Sequence, residues 1–302
     1  MITGGAGFIG SHLVEELSKA SEVLVIDDLS NGKMENLSGQ DVKFVKGSIT
    51  DLGLLRTSFE DADCVFHLAA VSSVWKSIED PLGTARINHD GTLNVLMAAR
   101  EAGVNKVVFS SSAAVYGDAP GAKLEDFRPE PKSPYGVAKL AGEHYCQVFN
   151  ELYGMKNISL RYFNVFGPKQ ESSEYATVIP KFIKAVLIGS RPQIFGDGEQ
   201  IRDFIFVKDV VRANLLAWQH DSTGSYNIAS GRCYSINELL KKICEILGEE
   251  IEPIYAPPRL GDSMGWMVDI SKASKIGFKP EFDLDRGLRC TIEWFQKVSC
   301  ST

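Results

Sequence analysis

The chain has 302 residues, 44% of them hydrophobic and 24% charged, with a net charge of −7. That is an ordinary globular balance, long enough for one large domain or two modest ones sharing an interface. The acidic excess excludes a general nucleic-acid surface, which needs a basic face to neutralise phosphate, but not a small anionic ligand held by a few arginines.

Thr3-Gly-Gly-Ala-Gly-Phe-Ile-Gly10 opens the chain, followed by an amphipathic stretch from Ser11 to Ala20 with Leu13 and Leu17 on one face. Val23-Leu-Val-Ile26 then runs into Asp27-Asp28, and Lys43–Val45, Cys64–Leu68, Lys106–Phe109 and Ile158–Phe163 repeat the theme. Short unbroken apolar runs separated by helix-length segments predict parallel strands buried on both faces, hence a doubly wound α/β sheet. Only Met1-Ile2 precedes the glycine segment. The first strand of such a sheet is central, so it is either stunted or lacks upstream residues, and the second reading is preferred. After about residue 165 prolines break up the pattern, and Gly196-Asp-Gly198 marks a turn between short strands. This predicts a smaller mixed α/β C-terminal region over the mouth of the sheet. Asp203 to Trp218 is expected to return to the main domain as a strand end and helix. The expected division is 1–164 plus about 200–230 for the sheet domain, and about 165–199 with 231–302 for the second.

Gly4, Gly7 and Gly10 have the spacing of a dinucleotide-binding turn. The first makes the tight turn, the second admits a pyrophosphate, and the third lets the helix pack against the sheet. The helix N-terminus then faces the phosphates. Asp27, at the end of the next strand, suits the adenosine ribose hydroxyls and repels a 2′-phosphate, which favours NAD over NADP. Further on, Tyr135 and Lys139 are four residues apart, so on a helix they share a face. A free phenol ionises near pH ~10, and a nearby cation lowers that value, which would make Tyr135 a usable base. The pair alone also fits an ordinary surface helix. Ser110-Ser-Ser112 ends the strand before it, where ligands of such sheets bind. Ser112 is placed to pass a proton to Tyr135, whereas Ser110 reads as a polar strand end and Asn88, taken alone, as an ordinary helical asparagine. The six cysteines, Cys64, Cys146, Cys233, Cys244, Cys290 and Cys300, form no Cys-x-x-Cys pair. They read as reduced core thiols, with no metal expected. With no leader-like start and no apolar run of about 18 residues, a cytoplasmic, non-membrane protein is expected.

Taken together, these segments resemble the extended short-chain dehydrogenase/reductase family, in particular its nucleotide-sugar 4-epimerases. The resemblance spans nearly the whole chain: residues 3–10, His67-Leu-Ala-Ala70, Asn88, Ser110–Gly117, Tyr135/Lys139, Arg161-Tyr-Phe-Asn164 and Arg202-Asp203. It implies a Rossmann-type sheet and a catalytic set of Ser112, Tyr135 and Lys139, with Lys139 also bonding the nicotinamide ribose. NAD would be lined by Phe8, Ile9, Asp27, Asn31, Ser48, Ile49, Leu68, Ala69, Ala70, Asn88 and Phe163 as well as the glycines. Ser48 departs from the aspartate of many relatives, a weaker acceptor for the adenine amino group. Asn164, Val178, Phe195, Arg202, Arg259 and Asp262 fall at nucleotide-binding positions of a UDP-sugar. Met264 replaces a second arginine of many relatives.

Family members share hydride removal from sugar C4 and differ afterwards. Dehydratases carry an Asp-Glu pair after the catalytic hydroxyl, and decarboxylases a Glu before Val-Tyr-Gly. Ala113 and Ala114 stand there instead, which leaves oxidation and return of the hydride, an epimerisation. Trp266 aligns with a position whose bulk limits room for an N-acetyl group, which suggests UDP-glucose and UDP-galactose, though it also reads as a core residue. UDP-N-acetylglucosamine or UDP-glucuronate epimerisation, a 4-reductase, and a non-catalytic NAD-binding regulator are the alternatives. Helices at Thr84–Ala102 and Pro134–Tyr153 resemble the pair that forms a four-helix homodimer interface in the family, although intramolecular packing would give the same pattern.

Overall fold

A computed structural model describes residues 1–118, 121–170, 177–258, 265 and 267–299. The first half alternates strand and helix. It contains β1 (Ile2–Thr3), α1 (Phe8–Leu17), β2 (Leu24–Asp27), β3 (Lys43–Lys46), α2 (Leu52–Ser58), β4 (Val65–His67), α3 (Val74–Glu79) and α4 (Pro81–Ala85). A π-helical turn, Arg86–Asp90, leads into α5 (Gly91–Glu101), then β5 (Val107–Ser112), α6 (Pro134–Tyr153) and β6 (Ile158–Tyr162). There follow β7 (Asn164–Phe166), α7 (Val178–Leu187), β8 (Gln193–Phe195), β9 (Ile201–Phe206), α8 (Val207–Gln219) and β10 (Gly224–Ile228). The rest is β11 (Cys233–Ser235), α9 (Ile236–Leu247), β12 (Ile254–Ala256), α10 (Ser271–Lys275) and α11 (Leu284–Ser299).

Seven strands form one parallel sheet in the order β10-β6-β5-β4-β1-β2-β3, with β1 central and in register Ile2 opposite Val25 and Phe66. Successive residues feed opposite faces. Val25, Phe66 and Val108 pack with α1 and α8, while Ile26, Val65, Val107 and Phe109 pack with α2, α5 and α6. Two buried faces explain why these strands are unbroken apolar runs. A separate core joins α7, α9 and α11 to β7 and β9.

Two expectations change, and one strand is unexpected. The helix of Asp203–Trp218 does return to the main sheet, where α8 packs on α1, but its strand does not. β9 pairs instead with β7 and β11 in a three-stranded sheet. The seventh strand beside β6 is β10, whose polar Ser225 and Asn227 hide its strand character in the sequence. The helix expected over Thr84–Ala102 is interrupted by the π turn, a feature often found at functional sites.

α6 starts where its chemistry says it should. The Ser133 hydroxyl accepts from Gly136 N–H at 3.1 Å, Pro134 occupies the first turn, and Gly154 ends the helix at φ +69°. That fixes the helix phase that presents Tyr135 and Lys139 to β5.

Candidate active site

Because the strands of the main sheet are parallel, their carboxyl ends share one edge, and the expected cofactor residues gather there. Gly4–Gly10 follow β1, Asp27 ends β2 and Asn31 follows it, Ser48 and Ile49 follow β3, Leu68–Ala70 follow β4, Ser112 ends β5 and Phe163 follows β6. This is the crevice where such sheets bind ligands. Gly4 has φ +72°, and a Cβ there would sit 2.6 Å from the Ala69 backbone nitrogen. A Cβ on Gly10 would sit 2.1 Å from the Gly4 carbonyl oxygen, so α1 packs closer than any other residue allows. Gly7 is the N-cap of α1 and offers no side chain to its first turn, which leaves helix N–H groups for an anion.

Asp27 does more than the sequence reading assigned. Its two carboxylate oxygens accept from Ala6 N–H and Leu29 N–H, both at 2.9 Å, and so brace the glycine loop against the end of β2. Burial raises its affinity for a proton and these two bonds oppose that. Each oxygen retains a further lone pair for a ribose diol. Asn31 is exposed beyond β2, and Ser48 bonds Thr50. A cradle that admits no Cβ, a helix start and a braced carboxylate together fit a dinucleotide.

Asn88 lies in the π turn with both ends of its amide engaged. Its Oδ1 accepts from Val71 N–H at 2.7 Å and its Nδ2 donates to Val71 O at 2.9 Å. It thus fixes the Leu68–Val71 loop of the crevice. A buried chain supports it. Thr92 Oγ1 donates to Asn88 O at 2.7 Å, so Thr92 must accept from His67 Nε2–H at 3.0 Å, and His67 Nδ1 accepts from the Thr3 hydroxyl at 2.8 Å. Burial, aided by Lys139, pushes the His67 imidazole down to about 3, so it is neutral. The roles of Thr3 and Thr92 are absent from the sequence reading, since their partners are remote in the chain.

Ser112, Tyr135 and Lys139 converge at the end of β5. Ser112 Oγ accepts from Ala114 N–H at 3.1 Å and lies beside Tyr135, where its hydroxyl favours the phenolate. Lys139 Nζ donates to Ser110 O at 2.7 Å and lies 5.0 Å from the Phe109 ring centre. The expected lowering of the tyrosine by this cation is not the dominant effect. Burial pushes Tyr135 above its ordinary range, against the Ser112 hydroxyl. Burial alone pulls the Lys139 ammonium down to about 8. Ser110, read as a polar strand end, supplies the carbonyl that seats this lysine.

A cavity opens in the second region, among β7, α7, β8 and β9. Asn164, Val178, Phe195 and Arg202 line it together, as do Phe204 and Gln200, which the sequence reading did not single out. Asn164 Nδ2 donates to Asp203 O at 2.9 Å, and Gln200 Nε2 to Phe195 O at 2.8 Å. Arg259, Asp262, Met264 and Trp266 lie outside the described residues. Among the described residues no cluster of His, Cys, Asp and Glu could hold a metal, and no helix is long and apolar enough to cross a membrane.

Comparison with known proteins agrees with this geometry. The model of the NAD dependent epimerase/dehydratase family matches residues 1–229. A relative from Methanocaldococcus jannaschii, described as a putative UDP-glucose 4-epimerase, is 40% identical over 98% of both chains. The solved UDP-N-acetylglucosamine 4-epimerase of Methanobrevibacter ruminantium, in complex with UDP-N-acetylmuramic acid, is 44% identical over 98% of this chain and 97% of its own, with a TM-score of 0.96. The UDP-glucose 4-epimerase of Thermotoga maritima, solved with UDP-glucose, is 42% identical over 99% and 98%, with a TM-score of 0.95. The chain therefore belongs to the NAD-dependent epimerase/dehydratase family and is a nucleotide-sugar epimerase.

Proposed function

We propose that this chain interconverts UDP-glucose and UDP-galactose through a transient 4-keto sugar. The observation that carries the reading is the convergence of Ser112 and Tyr135 at the carboxyl end of β5, with the buried Lys139 ammonium seated on the Ser110 carbonyl one helical turn on. Tyr135 takes the proton of the sugar 4-hydroxyl, directly or through Ser112, and returns it after the sugar has presented its other face. Bound NAD supplies the acceptor for the C4 hydride and, once reduced, its donor. Lys139 holds the nicotinamide ribose, and the groups from Gly4 to Phe163 along the sheet edge hold the rest of the cofactor. Arg202, with Asn164, Val178 and Phe195, anchors the nucleotide, and the planar guanidinium suits a diphosphate. Ala113 and Ala114 begin the turn after β5 and carry no proton, so no acid–base pair beside Ser112 serves a loss of water.

A homodimer through the helices over Thr84–Ala102 and Pro134–Tyr153 is part of this reading. On the second of them Val137 is 55% exposed and Leu152 68%, apolar positions that a partner helix would cover. The Methanobrevibacter ruminantium relative favours a second reading, UDP-N-acetylglucosamine as the sugar. Incubation with UDP-galactose and, separately, UDP-N-acetylgalactosamine, without added cofactor, tests both. Conversion of the first to UDP-glucose supports the main reading. Faster turnover of the N-acetylated sugar selects the second, and no turnover of either overturns both.

A further inference from the structure

Tyr135, Lys139 and Glu143 are spaced by four residues on α6 and form one stripe. Three consecutive residues of β5 meet that stripe. Ser110 O accepts from Lys139 at 2.7 Å, the Ser111 hydroxyl donates to Glu143 Oε1, and Ser112 stands beside Tyr135. Two of these rungs belong to the reactive groups. The third does not touch them, yet it is the most heavily braced.

The Glu143 carboxylate is buried and carries three further bonds. Arg161 Nε donates to Oε1 at 2.9 Å, Arg161 Nη2 to Oε2 at 2.7 Å, and Ser225 Oγ to Oε2 at 2.9 Å. Arg161 sits on β6 and Ser225 on β10, so one side chain of α6 ties the adjacent strands β5, β6 and β10 to the helix. Arg161 Nη1 also donates to the Tyr116 hydroxyl at 2.8 Å and to Glu125 O at 3.2 Å, which fixes the segment between β5 and α6. Stability alone is a weak reason for such a pair, because apolar residues of similar volume often serve a core as well. A reactive constellation, by contrast, must be held to within about 0.5 Å by its supports.

We propose that Glu143, locked by Arg161, is a positioning residue that acts through Ser111. It sets the height of the β5 end on α6, so that Ser112 meets Tyr135 and the Ser110 carbonyl meets Lys139. The inference rests on the catalytic reading of those two residues given above. Without the Ser111 rung the strand end slides relative to the helix and both remaining contacts lengthen together.

The test is Ser111→Ala, which removes the rung while Glu143 and Arg161 stay paired. The NAD-containing enzyme is assayed with UDP-galactose. The expected result is a kcat about ten-fold lower with KM within about two-fold, since misplacement at the reacting centre costs rate rather than binding. In a Tyr135→Phe background the same change is expected to cost nothing more, because the group it positions has gone. An unchanged kcat, a loss confined to KM, or an equal loss in both backgrounds overturns the inference. If Tyr135→Phe alone keeps full kcat, the catalytic reading itself is wrong. If it loses activity while Ser111→Ala is silent, only the role of Glu143 falls.

Discussion

The Lys139 ammonium is bonded to the Ser110 carbonyl, 2.7 Å away, and stands 5.8 Å from the centre of the Tyr135 ring. Its hydrogen bond goes to that carbonyl rather than to the phenol, and burial favours its neutral amine. Lysine and tyrosine are therefore both displaced toward their uncharged forms by one cause, the dry interior at the end of β5.

A pH dependence of stability follows from the lysine. Its value falls from 10.5 to about 8 on folding, so between those limits the unfolded chain binds the extra proton. Stability then rises with pH through that window, and the cost of burying the charge is fully present below about 8. Lys139→Met removes both charge and cost. Thermal melting of the two proteins from pH 7 to 10 should show the wild type gaining on the variant as pH climbs. A constant difference across the series would rule out a depressed lysine.

Replacing the phenol tests the chemistry. Tyr135→Phe removes the acid–base oxygen and keeps the ring. We expect kcat to fall by about 10²-fold or more, with little change in melting temperature. A non-catalytic NAD-binding regulator on this scaffold would keep its function in the variant, and a wild-type rate would exclude the proposed base.

Gly7 and Gly10 should behave differently from one another. A Cβ on Gly10 lies 2.1 Å from the Gly4 carbonyl oxygen, a backbone atom that cannot move without shifting β1. Gly10→Ala should destabilise the fold by about 1–3 kcal/mol or more, as overpacking does. Gly7→Ala meets nothing closer than 3.3 Å, again the Gly4 oxygen, so the chain itself tolerates it far better. Its new methyl faces the proposed pyrophosphate site. The expected signature is a near-normal melting temperature with NAD lost on purification, measured as nucleotide released by denaturation. Retention of NAD by Gly7→Ala would argue against close approach of a pyrophosphate there.

Much of this site was legible because its residues sit at the ends of strands that are themselves legible. β2, β4, β5 and β6 are buried on both faces, so they read as apolar runs, and their carboxyl ends point to Asp27, His67, Ser112 and Phe163. What stayed hidden depends on contacts remote in the chain. His67 meets Thr3 and Thr92 across 64 and 25 residues, and no periodicity marks those pairings. β10 hides because Ser225 and Asn227 turn their side chains to polar partners, the Glu143 carboxylate for one and the Tyr116 hydroxyl and Lys123 carbonyl for the other, where a buried strand would show apolar residues. β9 looks like a strand, but sequence does not say which sheet takes it. The bonding of Asn88 to Val71 is likewise a matter of the π turn that places it.

The last prediction concerns the nucleotide anchor. Arg202 borders the cavity with Asn164, Val178 and Phe195, and its Nη1 donates to Ile201 O at 2.8 Å, which aligns the guanidinium along β9. If this fork holds a diphosphate, its interaction is made equally with the starting sugar, the keto intermediate and the product, because the diphosphate takes no part in the chemistry at C4. Such uniform binding appears in KM and leaves kcat alone. A charge-assisted hydrogen bond contributes about 1.5–3 kcal/mol, so Arg202→Met should raise KM for UDP-galactose by about 10- to 100-fold. Arg202→Lys keeps the charge but loses the planar fork, and its KM should fall between the two. A kcat defect at saturating substrate, with KM unchanged, would move Arg202 from anchoring the nucleotide to orienting the sugar.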